Sequence, residues 1–176
     1  MIVNASSLII FGKLNKIKLL KEIVKSIVIA QEVYEEVVTR GLEIQASEAS
    51  FIAEYVDKGE ITIKKVYMEG QRKVASLQKI YAALDKGEAE TIALALEEHE
   101  TEVLLDDLTA RKVAVLHNIL PRGSLWVVAS AFEKRLITEL EVKTLVSQMI
   151  SLKFRLSASV VTAFLEDIEK IKKQRR

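Results

Sequence analysis

The sequence predicts an α/β fold with three layers, in which helices flank both faces of a central, mainly parallel sheet, followed by a helical C-terminal part. Two observations predict this class. Short runs of apolar, partly β-branched residues alternate with helical segments of ten or more residues, the pattern of consecutive β-α-β units. From Leu125 onward the apolar residues recur only at helical spacing.

The predicted strands are short and apolar, and the predicted helices carry one apolar stripe each. The strands are Met1–Val3, Ile27–Ile29, Glu60–Val66, Val103–Leu105 and Ile119–Leu120. The alternation within Glu60–Val66 indicates an edge strand. Gly41 is predicted to end the helix that begins at Glu32. The helices are Lys16–Val24, Glu32–Val38, Ala46–Val56, Glu69–Leu84, Glu88–Glu98, Thr109–Leu116, Leu125–Arg135, Glu139–Leu152 and Ala158–Lys173.

Length and composition indicate one domain over residues 1–176, with the helices at about 139–173 packed on it or extending it. The net charge of +1 provides no general basic field, so any nucleic-acid site must be local. The absence of cysteine excludes disulfides and thiolate metal sites and fits a cytoplasmic location. No apolar run approaches the roughly 18 residues that a membrane span needs, and the first sixteen residues lack a signal-peptide pattern.

Polar residues follow three of the predicted strands. Asn4 follows the first, the segment 32–36 follows the second, and Asp106 and Asp107 follow Leu105. In open parallel sheets, sites form outside the carboxyl ends of the strands. We therefore expect these side chains to converge.

Each acidic residue also has a structural interpretation. Acids in a first helical turn complement the helix dipole, which accounts for Glu32, Glu35 and Glu36. Asp85 and Glu88 have capping-box spacing, and Glu90 is interpretable as a solvated helix residue. Arg111 lies four residues after Asp107 and is placed to pair with it. The two histidines, His99 and His117, are isolated within helical segments and are interpreted as packing or surface residues.

Four segments together resemble the PIN-domain family, in particular small prokaryotic members related to toxin-antitoxin ribonucleases. The resemblance rests on their order and spacing, since no single motif is specific. The segments are IVNASSL from Ile2, EVYEEVV around Glu36, KGEAETIALA around Glu88 and VLLDDLTARKVA around Asp106.

The resemblance implies an acidic pocket that holds one or two Mg²⁺ or Mn²⁺ ions and hydrolyses RNA phosphodiester bonds without a covalent nucleophile. Matched position by position, the family's first acid falls on Asn4, its second on Glu36, its third on Glu88 and its fourth on Asp106 or Asp107. The implied metal ligands are these five residues, and the four acids among them are the implied catalytic residues. Ser6 matches a hydroxyl residue of the pocket. The implied partners are RNA, a small antitoxin-like protein and a second copy of the chain. An apolar face on a late predicted helix consists of Trp126, Val127, Val128 and Phe132. Core packing explains most of it, and any surplus apolar surface is a candidate homodimer face.

Asn4 departs from the family pattern, which has an acid at this position. Its amide oxygen remains a ligand but brings no charge, so we expect weaker cation binding. The alternative function is a catalytically impaired PIN-fold module that binds RNA or a protein partner. Five basic residues between Lys170 and Arg176 are interpreted as a helix end or as an arm for the RNA backbone.

Overall fold

A computed structural model describes residues 1–174, so Arg175 and Arg176 of the basic tail lie outside the described residues. The chain divides into two units by its internal contacts, Met1–Gly123 and a unit that begins at Ser124. The first unit contains the sheet and every residue of the expected pocket. One domain over residues 1–176 stays a prediction.

The sheet has five strands, and all of its pairings are parallel. The strand order is β3-β2-β1-β4-β5, which places β1 in the centre and confirms β3 as an edge strand. The α/β prediction is therefore confirmed. The strands are β1 (Ile2–Val3), β2 (Ile27–Ala30), β3 (Ile61–Lys64), β4 (Glu102–Leu104) and β5 (Leu120–Arg122).

Helices connect the strands and then form the second unit. In the first unit they are α1 (Ala5–Lys13), α2 (Ile17–Val24), α3 (Gln31–Tyr34), a π-helical turn (Glu35–Thr39), α4 (Arg40–Glu43), α5 (Ala49–Asp57), α6 (Met68–Ile80), α7 (Lys86–Glu97) and α8 (Leu108–Leu116). In the second unit they are α9 (Ser124–Glu133), α10 (Glu139–Ser151) and α11 (Ala158–Gln174). Within residues 1–174, none of the helices combines the length and apolar character that crossing a bilayer requires.

Two predicted helix ends are wrong. Gly41 does not end a helix, because the helical run continues from the π-helical turn through α4 to Glu43. A Cβ atom on Gly41 would lie 2.9 Å from the Ala49 Cβ, so this glycine permits close packing against α5. Helix α6 ends at Ile80 rather than Leu84, because Tyr81 leaves the helical conformation and Leu84 buries its side chain from the following turn.

Helix α7 is buried almost all round in its first three turns. Every residue from Gly87 to Ala95 is buried, and small side chains such as Ala93 and Ala95 let neighbouring elements approach closely. The helix contacts α3, α6 and α8 as well as strands β1, β2 and β4. A helix that is buried on all sides forms part of the core. The contacts of α7 with β1, β2 and β4 hold it against the sheet.

Proline interrupts the outer edge of β5. The N–H of Leu120 donates to Thr101, and the carbonyl of Arg122 accepts from Leu105, so both residues face β4. Pro121 lies between them and is paired in register with Val103. Its missing N–H is the one that would point away from the sheet.

The expected apolar face on α9 is largely core. Val127 and Val128 are fully buried, and Phe132 is nearly so. These side chains do not form the surplus surface that suggested a homodimer.

Candidate active site

The carboxyl ends of β1 and β4 bring Asn4 and Asp106 to the same edge of the sheet. The backbone N–H of Asn4 donates to the Leu104 carbonyl over 3.0 Å, two residues before Asp106. The hydroxyl of Ser7, in the first turn of α1, donates to Asp106 Oδ2 over 2.5 Å. Ser7 is fully buried, so this contact fixes the Asp106 carboxylate against α1.

Asn4 is buried beneath α7 and contacts Thr91. The Thr91 Oγ1 lies 3.2 Å from the amide oxygen of Asn4 and 2.7 Å from the Gly87 carbonyl. A hydroxyl has one proton, and the shorter contact to Gly87 takes it. The favourable orientation of the Asn4 amide therefore turns its NH₂ group toward Thr91, since the two ends of an amide are assigned from such networks. Its oxygen then faces away from Thr91.

Glu36 lies beside the N-terminus of α7. A Cβ atom on Gly87 would lie 3.3 Å from Glu36 Oε2 and 3.5 Å from Asp85 Oδ1. Both carboxylate oxygens therefore border one small space that the glycine leaves open. Burial raises the pKa of Glu36, and the charges of Asp85 and Glu32 raise it further, against the opposing effect of Arg40.

Glu88 forms the predicted capping box with Asp85. The Glu88 N–H donates to Asp85 Oδ1 over 2.7 Å, and the Asp85 N–H donates to Glu88 Oε2 over 3.0 Å. Burial raises the pKa of Glu88 to about 7; the hydrogen bond from Asp85 opposes the shift, while the charges of Asp85, Asp107 and Glu36 add to it. Capping thus explains the backbone contacts of Glu88. It does not explain why the carboxyl group lies within electrostatic reach of Asp107 and Glu36.

The raised pKa of Glu88 predicts that stability falls as pH rises. The carboxyl group is protonated in both states below its ordinary pKa of 4.5, whereas between 4.5 and about 7 the folded state binds more protons than the unfolded state. The loss across this window is on the order of 2 kcal/mol. Glu88→Gln preserves the cap and removes the titration, so urea unfolding should show the variant gaining on the natural protein between pH 5 and pH 8. A difference that is constant with pH would contradict the assignment.

Asp107 caps α8. Its Oδ1 accepts from the backbone N–H groups of Thr109 and Ala110, over 2.7 and 3.0 Å. The expected partner, Arg111, instead donates to the Leu105 carbonyl over 3.0 Å. The Arg111–Asp107 pairing is therefore replaced by a contact that holds the turn after β4.

Glu90 is buried, which corrects its interpretation as a solvated residue. Its Oε2 accepts from the backbone N–H of Glu32 over 3.0 Å, at the start of α3. Glu90 thereby fixes the beginning of the helical run that carries Glu36. The sequence offered one signal for this role, the position of Glu90 among the apolar residues of a helix that is buried all round.

The remaining candidates have simpler surroundings. The hydroxyl oxygen of Ser6 is buried and has no hydrogen-bond partner within the described part of the chain. Ser7 rather than Ser6 contacts an acid. His117 directly follows α8, and His99 lies two residues after the end of α7, so both histidines lie just beyond helix ends rather than in helix interiors.

The donor chemistry at this edge fits a hard divalent cation. Carboxylate and amide oxygens are the ligands that Mg²⁺ and Mn²⁺ prefer. Glu36 borders the open space at Gly87. A cation bound beside Glu36 and Glu88 would lower their raised pKa values by stabilising the charged carboxylates. As the side chains stand in residues 1–174, no three of the acidic or histidine groups are arranged to coordinate one ion.

Comparison with known proteins agrees with this architecture. A family model described as PIN domain matches residues 1–170. Comparisons with curated proteins and with solved structures returned no match. The match spans nearly the whole chain, including the first unit, most of the second and each of the expected metal ligands. The chain therefore belongs to the PIN-domain family, a family of nucleases that is typically metal-dependent.

Proposed function

We propose that this protein is a divalent-metal-dependent endoribonuclease whose site lies at the carboxyl edge of the sheet. The observation that carries the proposal is electrostatic. Glu36, Asp85, Glu88 and Asp107 come from three separate segments, and the charges of the other three all act on Glu88. Burial of Glu88 and partial burial of Glu36, together with the neighbouring acidic charges, raise the pKa values of these two groups. A fold gains no stability from gathering like charges, so a ligand that neutralises them is the functional interpretation.

The chain contributes ligands and their support. Asp106, Glu36 and Glu88 provide charged oxygens, Asn4 provides a neutral one, and Asp107 provides its oxygen that does not cap α8. Ser7 orients Asp106, and Glu90 orients the segment that carries Glu36. When bound, the cation would activate water and stabilise the leaving oxygen of a phosphodiester.

Cleavage of a fluorescent single-stranded RNA tests the proposal directly. We expect cleavage with Mn²⁺ or Mg²⁺, none with EDTA, and recovery when the metal is restored in excess. Mn²⁺ should also raise the thermal unfolding midpoint, because a ligand of the native state stabilises it. Cleavage that persists in EDTA would overturn the proposal. So would millimolar Mn²⁺ that neither raises the thermal unfolding midpoint nor produces RNA cleavage.

Gly87→Ala is expected to weaken metal binding with little effect on the fold. The new Cβ would lie 3.3 Å from Glu36 Oε2, so this carboxylate must move away. The helix itself tolerates alanine, and the change in stability without metal should stay within about 1 kcal/mol. Thermal unfolding with and without Mn²⁺ should show a smaller metal-induced rise than in the natural protein. An unchanged rise would mean that Glu36 does not contribute a ligand.

A second candidate function is a PIN-fold module that binds RNA or a protein partner and cleaves poorly. The observation in its favour is Asn4, a neutral amide at the central strand where the family pattern has an acid. Such a module should bind RNA in EDTA as well as in Mn²⁺, should cleave it only slowly in Mn²⁺ and should not cleave it in EDTA.

A further inference from the structure

Two cations share one carboxylate next to the acidic cluster. Lys86 Nζ lies 2.5 Å from Glu32 Oε2, and Arg40 Nη2 lies 2.9 Å from Glu32 Oε1. The three residues come from the starts of α7, α4 and α3, and we call them the Glu32 clamp. Each oxygen of one carboxylate thus has its own cation.

The Glu32 clamp adjoins the proposed site. Lys86 immediately precedes Gly87, whose open space borders Glu36 Oε2. Glu36 lies one helical turn after Glu32, and Arg40 lies one turn after Glu36. The positive charge of Arg40 lowers, and the charge of Glu32 raises, the pKa of Glu36, which places both groups within electrostatic reach of it.

The two cations of the Glu32 clamp are exposed to solvent, whereas its carboxylate is largely buried. The side chains of Lys86 and Arg40 are 56% and 53% exposed, whereas Glu32 is only 13% exposed. A second anion arriving from solvent therefore meets the two cations first. The existing pairs constrain the two long side chains near the mouth of the cluster, so a part of the entropy of ordering them is already lost.

An acidic pocket repels the polyanion that it is proposed to cleave, and the net charge of +1 offers no general attraction. Attraction for the RNA must therefore come from cations that lie beside the pocket. We propose that Lys86 and Arg40 bind an RNA phosphate adjacent to the scissile one, and that Glu32 occupies the place of that phosphate in the free protein. This inference rests on the proposed function, because it assigns the substrate contacts of the same site.

The proposal predicts that substitutions of the cations and of Glu32 change RNA affinity in opposite directions. Removing either cation removes a phosphate contact and weakens RNA binding. Glu32→Gln removes the competing internal anion and leaves both cations for the phosphate, so RNA binding should tighten. A purely structural role for the clamp predicts the reverse for Glu32, since loss of any member would disturb the same helices.

Fluorescence anisotropy with a labelled single-stranded RNA measures these affinity changes, and EDTA prevents cleavage during the measurement. We expect Lys86→Gln and Arg40→Gln each to weaken binding by about 3- to 10-fold and to reduce the salt slope by about 0.7. Glu32→Gln should bind more tightly than the natural protein. Lys58 and Glu54 give a matched control, because their ion pair is also 2.5 Å long and Lys58 is also 56% exposed. Lys58→Gln and Glu54→Gln should leave binding and its salt slope unchanged.

Binding that is unchanged in Lys86→Gln and Arg40→Gln, or weakened in Glu32→Gln, would overturn the inference. The cleavage assay separates this failure from that of the proposed function. If the natural protein cleaves RNA and the KM of Lys86→Gln is unaltered, only the clamp assignment fails. If the variants change RNA binding as expected but no metal-dependent cleavage occurs, the enzymatic proposal fails and the phosphate contacts stand.

Discussion

Asp106→Asn is expected to reduce Mn²⁺-dependent RNA cleavage by about 100-fold or more. The Asp106 carboxylate is held by the buried Ser7 hydroxyl over 2.5 Å at the end of β4, beside Asn4 on the central strand. Asparagine has nearly the same shape but carries no charge and presents an NH₂ group in place of one oxygen. Loss of one charged ligand from a site that already contains a neutral one should cost about 3 kcal/mol of transition-state stabilisation.

Initial rates in Mn²⁺ for three variants would check this prediction. Asp107→Asn should lose less activity, because asparagine also caps helices well and Asp107 Oδ1 is already occupied by two backbone N–H groups. Asp167→Asn, an exposed change in α11, should cleave like the natural protein. Equal rates for Asp106→Asn and the natural protein would show that Asp106 is not a metal ligand of the site.

Asn4→Asp is expected to destabilise the metal-free protein and to strengthen metal binding. Asn4 is only 4% exposed, so a carboxylate here adds a buried charge to an acidic cluster and should lower stability in EDTA by about 1 to 3 kcal/mol. With a divalent cation bound, Asn4→Asp should instead stabilise the protein, because the added carboxylate becomes a metal ligand. A tenfold gain in affinity corresponds to about 1.4 kcal/mol. Thermal unfolding across a Mn²⁺ titration should show both effects, with cleavage rising in parallel.

Asn4→Ala is the matched control for this variant. It loses the contact with Thr91 and should unfold more easily both with and without metal, with no larger response to Mn²⁺. If Asn4→Asp and Asn4→Ala respond to Mn²⁺ alike, position 4 does not face the cation. The impaired-module function would then lose its main support as well, since Asn4 would not limit activity.

Much of the fold followed from local pattern. Short β-branched runs separated by amphipathic helices predict parallel pairing, and all pairings in the sheet are parallel. The helix past Gly41 could not be predicted from local signals, because that glycine serves close packing against Ala49 rather than termination. The early end of α6 depends on Leu84, whose burial from a turn outweighs the helical periodicity that includes it.

The site was predictable only in outline. Acids after parallel strands predict convergence, and the capping box of Asp85 and Glu88 was readable from its spacing. The contacts of Ser7 with Asp106, Thr91 with Asn4 and Glu90 with Glu32 join residues 99, 87 and 58 positions apart. Such pairings depend on how helices cross the sheet. No periodicity within one segment carries that information.

The proline in β5 has a consequence for solubility. An edge strand with free backbone donors is a template for another strand, and such addition leads to aggregation. At this edge the one residue whose backbone turns outward is Pro121, which offers a carbonyl but no donor. An incoming strand would meet an incomplete ladder there, although Leu120 beside it is 47% exposed. The proline thereby limits growth of the sheet by strand addition at β5.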